Sequence, residues 1–236
     1  GSMRIPIILL LLAVSLLACT NSKKIASGTS YRGADRAVWE NQVKQQSREI
    51  KAHPHWAEPF QLRGYAYYQL GKYSLALQDF NSALRQDPNY LMAVFNKGMT
   101  YARLGKKDSA KSDFLHILSK DPRHARSHFQ LGSIFYEASV FDSALHYFSD
   151  AVKNDPDYKK ARHFQAACHF YLKNPDAAIR DYTLILYDFP EDQIALINRG
   201  ISQLSMKEWE YALNDIGKAI SIDSAMSQAW YFQGLA

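Results

Sequence analysis

Five prolines recur at a fixed interval: Pro54, Pro88, Pro122, Pro156 and Pro190 stand 34 residues apart. Proline cannot continue a helix, so each one closes a segment at the same phase. Each segment holds two apolar patterns of helical period with a short turn between them; RGYAYYQLGKYSLALQDFNSALRQDPN, residues 63–89, is the clearest copy. Cutting at this period gives five units without gaps: 57–90, 91–124, 125–158, 159–192 and 193–226. Position 8 is Gly64, Gly98, Gly132, Ala166 and Gly200, and position 20 is alanine throughout, from Ala76 to Ala212. Position 24 is Phe80, Phe114, Phe148, Tyr182 and Ile216, and position 27 is Ala83, Ile117, Ala151, Ile185 and Ala219. Small residues at 8 and 20 let two helices approach, and the large residue at 24 fills the space beside them. Gly71 and Gly105 suit a left-handed turn between the helices, where later units carry Ser139, Lys173 and Lys207.

This pattern resembles the tetratricopeptide repeat, a helix–turn–helix of 34 residues. The resemblance covers residues 57–236 and implies an all-α fold, a right-handed superhelical solenoid of stacked helix pairs. A further correlation lies inside the units. Position 7 is Arg63, Lys97, Leu131, Gln165 and Arg199, and position 23 is Asp79, Asp113, Tyr147, Asp181 and Asp215. Wherever position 7 is basic its counterpart is Asp, which predicts an ion pair between the two helices, replaced by an apolar contact in the third unit.

The chain opens with an address. Gly1-Ser2 reads as a cloning scar before Met3; Arg4 and the apolar run 5–17 form a signal-peptide core, too short to span a bilayer that needs about 20 residues. The run ends LLAC, which resembles a bacterial lipoprotein box with Cys19 as the lipidated residue, although Leu17 is larger than usual there. Thr20 after the cysteine favours the outer membrane by the same resemblance. Residues 1–18 are thus expected to be removed. Residues 19–33 are small and polar and read as a tether that reaches, extended, roughly 50 Å. Residues 34–56 fall in the register of a second helix, but Gln42 and Gln46 occupy core positions, as expected of an N-terminal capping helix with a polar outer face. Residues 227–236 begin a sixth unit and stop within its first helix, which is read as truncation.

Composition and motifs exclude several functions. A net charge of +5 is scattered, with no run of five basic residues, so nucleic acid is not an expected partner. Two cysteines do not make a disulfide framework, and Cys168 sits at position 10, where other units carry small or apolar residues, so it is read as packing. No nucleophile–base pair, phosphate loop or cofactor motif is present, and the chain is read as non-catalytic. His124-x3-His128 lacks a further ligand nearby in sequence, so no metal site is assigned.

What remains is a surface. Positions 2, 5, 9 and 12 of the first helices form a stripe away from the intra-unit core. It carries Tyr65 and Tyr68; Met92, Phe95 and Met99; Phe129 and Tyr136; His163 and Phe170; and Ile194, Ile197, Ile201 and Leu204. In proteins of the resembled family this stripe lines a concave peptide groove. The competing reading is that these residues pack neighbouring first helices together. The two-carboxylate clamp of cytosolic chaperone adaptors is missing, because position 5 is never Lys, although Asn96 and Arg126 match it singly. An amphipathic helix or extended apolar peptide is the expected ligand. The whole reads as a lipid-anchored adaptor in the bacterial envelope, facing the periplasm, similar to pilotins or to scaffolds that recruit envelope enzymes. Two alternatives stay open: the docking part of a longer enzyme, or a solenoid that self-associates through its last unit.

Overall fold

A computed structural model describes residues 33–222. The leader, Cys19, most of the tether and the start of the sixth unit lie outside the described residues. Every described element is an α-helix, and the fold is an all-α solenoid of helix pairs. The chain divides at Pro88/Asn89 into two compact bodies.

The first body holds α1 (Gly33–Ala52), α2 (Ala57–Gln69) and α3 (Tyr73–Gln86). Arg63 on α2 clamps Asp79 on α3 with two bonds, Nε to Oδ2 and Nη2 to Oδ1, each 2.7 Å. Its third arm donates to Ser47 Oγ on α1 at 3.1 Å, so one guanidinium joins all three helices. Asp79 is buried, and this fork geometry is what makes a buried pair tolerable. Gln46 on α1 is buried at the place that the aromatic residue fills in later units.

The second body holds α4 (Leu91–Arg103), α5 (Lys107–Lys120), α6 (Ala125–Glu137), α7 (Phe141–Asn154), α8 (Lys159–Tyr171), α9 (Pro175–Asp188), α10 (Gln193–Ser205) and α11 (Trp209–Ile222). Each helix packs on the next in chain order. In both bodies the core is the set of repeated positions: Ala76, Ala110, Ala144, Ala178 and Ala212 are fully buried, as are Phe80, Phe114 and Phe148. The glycine at position 8 is required by closeness. A Cβ on Gly64 would stand 2.8 Å from the Phe80 ring, on Gly132 2.8 Å from Phe148, and on Gly200 2.9 Å from Ile216.

The turn within each unit is one structure built from different residues. Gly71 and Gly105 take φ of 72° and 73°, and Ser139, Lys173 and Lys207 take 59°, 62° and 65° at the same place. Each turn is closed by the same long backbone bond, such as Lys72 N to Tyr67 O at 2.8 Å and Glu208 N to Gln203 O at 2.9 Å. Helix packing therefore dictates the left-handed residue even where the side chain opposes it.

The predicted ion pairs form. Lys97 Nζ lies 3.0 Å from Asp113 Oδ1, and Arg199 binds Asp215 through Nε at 2.6 Å and Nη2 at 2.7 Å, with Nη1 3.1 Å from Thr183 Oγ1 on α9. In the third unit Leu131 is buried and Tyr147 stacks on Phe135 at 5.5 Å. In the fourth, neutral Gln165 leaves Asp181 to His169 on α8, 3.6 Å away, and burial raises the Asp181 carboxyl above its usual range.

Candidate partner-binding surface

The first helices present the stripe, but neighbours decide which of its residues reach solvent. On α2, Tyr65 packs edge-on against Trp39 of α1 at 5.6 Å and stacks with Tyr68 at 6.3 Å; both are half-buried. Tyr68 also meets Tyr73 of α3 at 5.7 Å.

In the second body the stripe separates into two classes. Phe95 is 2% exposed, wedged between Phe114 of its own unit at 5.6 Å and His124, which opens the next, at 5.4 Å. Phe129 is 3% exposed and repeats the arrangement, with Phe148 at 5.5 Å and Tyr158 at 4.9 Å. Ile197 and Ile201 are buried as well. These four were expected to line a groove and are instead core. The residue that precedes the next first helix folds over position 5, so the aromatic ring there joins units rather than facing a ligand.

Tyr136 is half-buried among Phe164 at 5.1 Å, Phe141 at 5.5 Å and Tyr171 at 5.9 Å. Burial, with the Tyr171 hydroxyl beside it, raises its phenol pKa far above the usual range. His163 is half-buried, with Nε2 3.3 Å from Asp192 Oδ2. Met99, Phe170 and Leu204 are half-buried. Two members stand clear: Met92 is 47% and Ile194 44% exposed, both at position 2.

Cations accompany this face, and a stripe defined by apolar residues passes over them. The Arg126 guanidinium sits 4.6 Å above the Phe95 ring, and the Lys160 ammonium 5.1 Å above Phe129. Both residues are exposed overall while their charged ends lie over the buried rings. The signal was present in the sequence: position 2 is basic in two consecutive units. Burial over the ring, then the charge of Arg103, lowers the Lys160 pKa from its ordinary value.

Apolar exposure is not confined to first helices. Leu184 and Tyr187 on α9 and Tyr211 on α11 are exposed on second helices.

The other candidate groups are engaged in structure. His124 Nδ1 accepts from the Ser127 amide at 3.2 Å and caps α6, and His128 Nε2 lies 2.9 Å from the Pro122 carbonyl. Among the described residues, no cluster of three or more His, Cys, Asp or Glu is arranged to hold a metal ion. Cys168 is fully buried, and burial pushes its thiol up to about 12. Among the described residues, no helix is long and apolar enough to cross a membrane.

Comparison with known proteins agrees with this architecture. Tetratricopeptide repeat families match residues 57–90, 95–159 and 129–193. The chain is similar in structure to YrrB, a tetratricopeptide protein described as having an unusual peptide-binding site, at 20% identity and a TM-score of 0.69, over 81% of this chain and 99% of that one. It is also similar to the C-terminal part of a repeat protein from Cytophaga hutchinsonii, at 17% identity and a TM-score of 0.69, over 79% and 77% of the two chains. MamA residues 41 to the end, from Desulfovibrio magneticus, align at 16% identity with a TM-score of 0.66, over 72% and 97%. No curated protein matches the sequence.

Proposed function

This chain belongs to the tetratricopeptide repeat family, and from that premise we propose that it is a non-catalytic adaptor that holds a partner protein or peptide on its first-helix faces. A lipid on Cys19 tethers it to the periplasmic face of the outer membrane of a bacterial envelope, where it serves assembly or secretion. The observation that carries the reading is the contrast within the stripe. Phe95, Phe129 and Ile197 at position 5 are sealed into the core, yet large apolar side chains at position 2, Met92 and Ile194, stay open to solvent. Burying such a side chain against a partner contributes about 1.5–3 kcal/mol. YrrB, which has the same fold, is described as having a peptide-binding site, which supports the same use of the scaffold here.

A photo-crosslinking residue placed at Met92 or Ile194 in cells tests the docking face. A discrete partner captured there, and not from the second-helix position Leu184, is the expected result; equal capture from both faces would refute it. Cys19→Ser should move the protein from the membrane to the soluble periplasmic fraction. Retention in the membrane would sink the anchor.

A further inference from the structure

We infer that the face shared by α4, α6 and α8 is an acidic-segment receptor, in which Arg126 and Lys160, seated on Phe95 and Phe129, take carboxylate side chains of the partner. The inference rests on the adaptor reading above and names the chemistry of what the adaptor holds.

Charge on these three helices is lopsided. Together they carry six Lys and Arg (Lys97, Arg103, Arg126, Lys159, Lys160 and Arg162) against one carboxylate, Glu137. Glu137 is itself taken by Lys107 at 3.0 Å. Arg103 has contacts of its own, and three further cations have carboxylates on other elements: Lys97 has Asp113, Lys159 has Asp192 and Arg162 has Asp188. Arg126 and Lys160 do not; among the described residues no carboxylate lies within ion-pair distance of either. Elsewhere in the array a cation on a first helix is placed to meet an Asp, as Arg63 and Arg199 do.

Arg126 and Lys160 lie over aromatic rings one unit apart, and the Arg103 charge is close enough to oppose that of Lys160. Arg126 and Lys160, two cations with no carboxylate beside them, favour an incoming anion. The rings beneath restrain both side chains, which lowers the ordering cost of binding. A guanidinium stacked by one face still offers its edge donors, in the fork that matches a carboxylate. Successive same-side side chains of an extended peptide are two residues apart, so a segment that alternates acidic residues could meet more than one cation, with an apolar side chain left for exposed Met92.

The test is selection of displayed random peptides with blocked termini against the full chain. Counter-selection uses Arg126→Gln/Lys160→Gln, and Lys153→Gln/Arg180→Gln on second helices serves as a control of equal net charge. Enrichment of Asp and Glu is expected, with binders about tenfold or more weaker to the first variant, unchanged to the second, and weakened by salt. Binders of neutral or basic composition that ignore Arg126→Gln/Lys160→Gln would overturn the inference while leaving the adaptor reading intact. A complete lack of binders, together with no crosslink at Met92, would overturn both. Phosphatidylglycerol vesicles form a separate arm: flotation lost in the first variant, without acidic enrichment among peptides, would assign the cations to lipid headgroups and refute the inference. Matching circular dichroism melts for the variants and wild type establish that folding is not the cause.

Discussion

Replacing Asp192 with alanine removes two kinds of interaction at once, and an asparagine variant separates them. Asp192 precedes α10 and caps it, with Oδ1 accepting from the Ala195 amide at 2.9 Å. Its Oδ2 faces α8, where it meets the Lys159 ammonium and lies 3.3 Å from His163 Nε2. Loss of a cap costs about 1 kcal/mol. Loss of the charged contacts to α8 costs about 1–2 kcal/mol more, discounted because Lys159 is partly exposed. Asp192→Ala should therefore cost about 2–3 kcal/mol, whereas Asp192→Asn keeps a capping oxygen and should cost about 1 kcal/mol less. Burial raises the Asp192 carboxyl, but bonds from His163, Lys159 and the Ala195 amide more than offset this and hold it well below the usual range. A depressed folded pKa means the stabilisation is complete above the unfolded value, about 3.9, and is lost as pH falls through the folded one. Urea unfolding gives the total, and amide exchange along α10 shows whether the loss is local, as stacked repeats require. Equal costs for the two variants would refute the division into cap and charge. So would an Asp192→Asn protein that keeps the wild-type acid dependence.

Gly132→Ala pushes a Cβ to 2.8 Å from Phe148 and should cost about 1–3 kcal/mol in urea unfolding; pairing it with Phe148→Leu should recover part of that. Lys173→Gly or Lys207→Gly relieves a left-handed side chain and should raise stability by about 0.5 kcal/mol net of glycine's unfolded-state entropy, read as a shift in the urea midpoint. Cys168, buried and with its thiol pushed up to about 12, should resist iodoacetamide at neutral pH and react at the rate of unfolding, measured by mass spectrometry.

The residues that were legible in sequence are those whose surroundings repeat. Gly64 against Phe80 and Gly132 against Phe148 are one contact made twice, so comparing units with each other exposes it. The same comparison found the Arg63–Asp79 and Arg199–Asp215 clamps, because both partners sit in the same unit and keep a separation of 16 residues. It also placed the turn, where Ser139 and Lys207 adopt the conformation of Gly71 because packing on either side leaves no other path.

The stripe was harder to read, for a geometric reason. A helical wheel orders residues around one axis and cannot show what the following unit lays over them. Position 5 points the same way in every unit, yet its exposure depends on the residue that ends that unit: His124 closes over Phe95 and Tyr158 over Phe129. Cationic residues at position 2 were passed over for a related reason. Counting apolar residues treats Arg126 and Lys160 as solvent-facing polar positions, whereas their charged ends lie over the buried Phe95 and Phe129 rings. One ring thus seals the interior and seats a charge above it. A substitution such as Phe129→Ala would therefore unfold the joint between units before it could report on a ligand, and Lys160→Gln is the change that tests the surface alone.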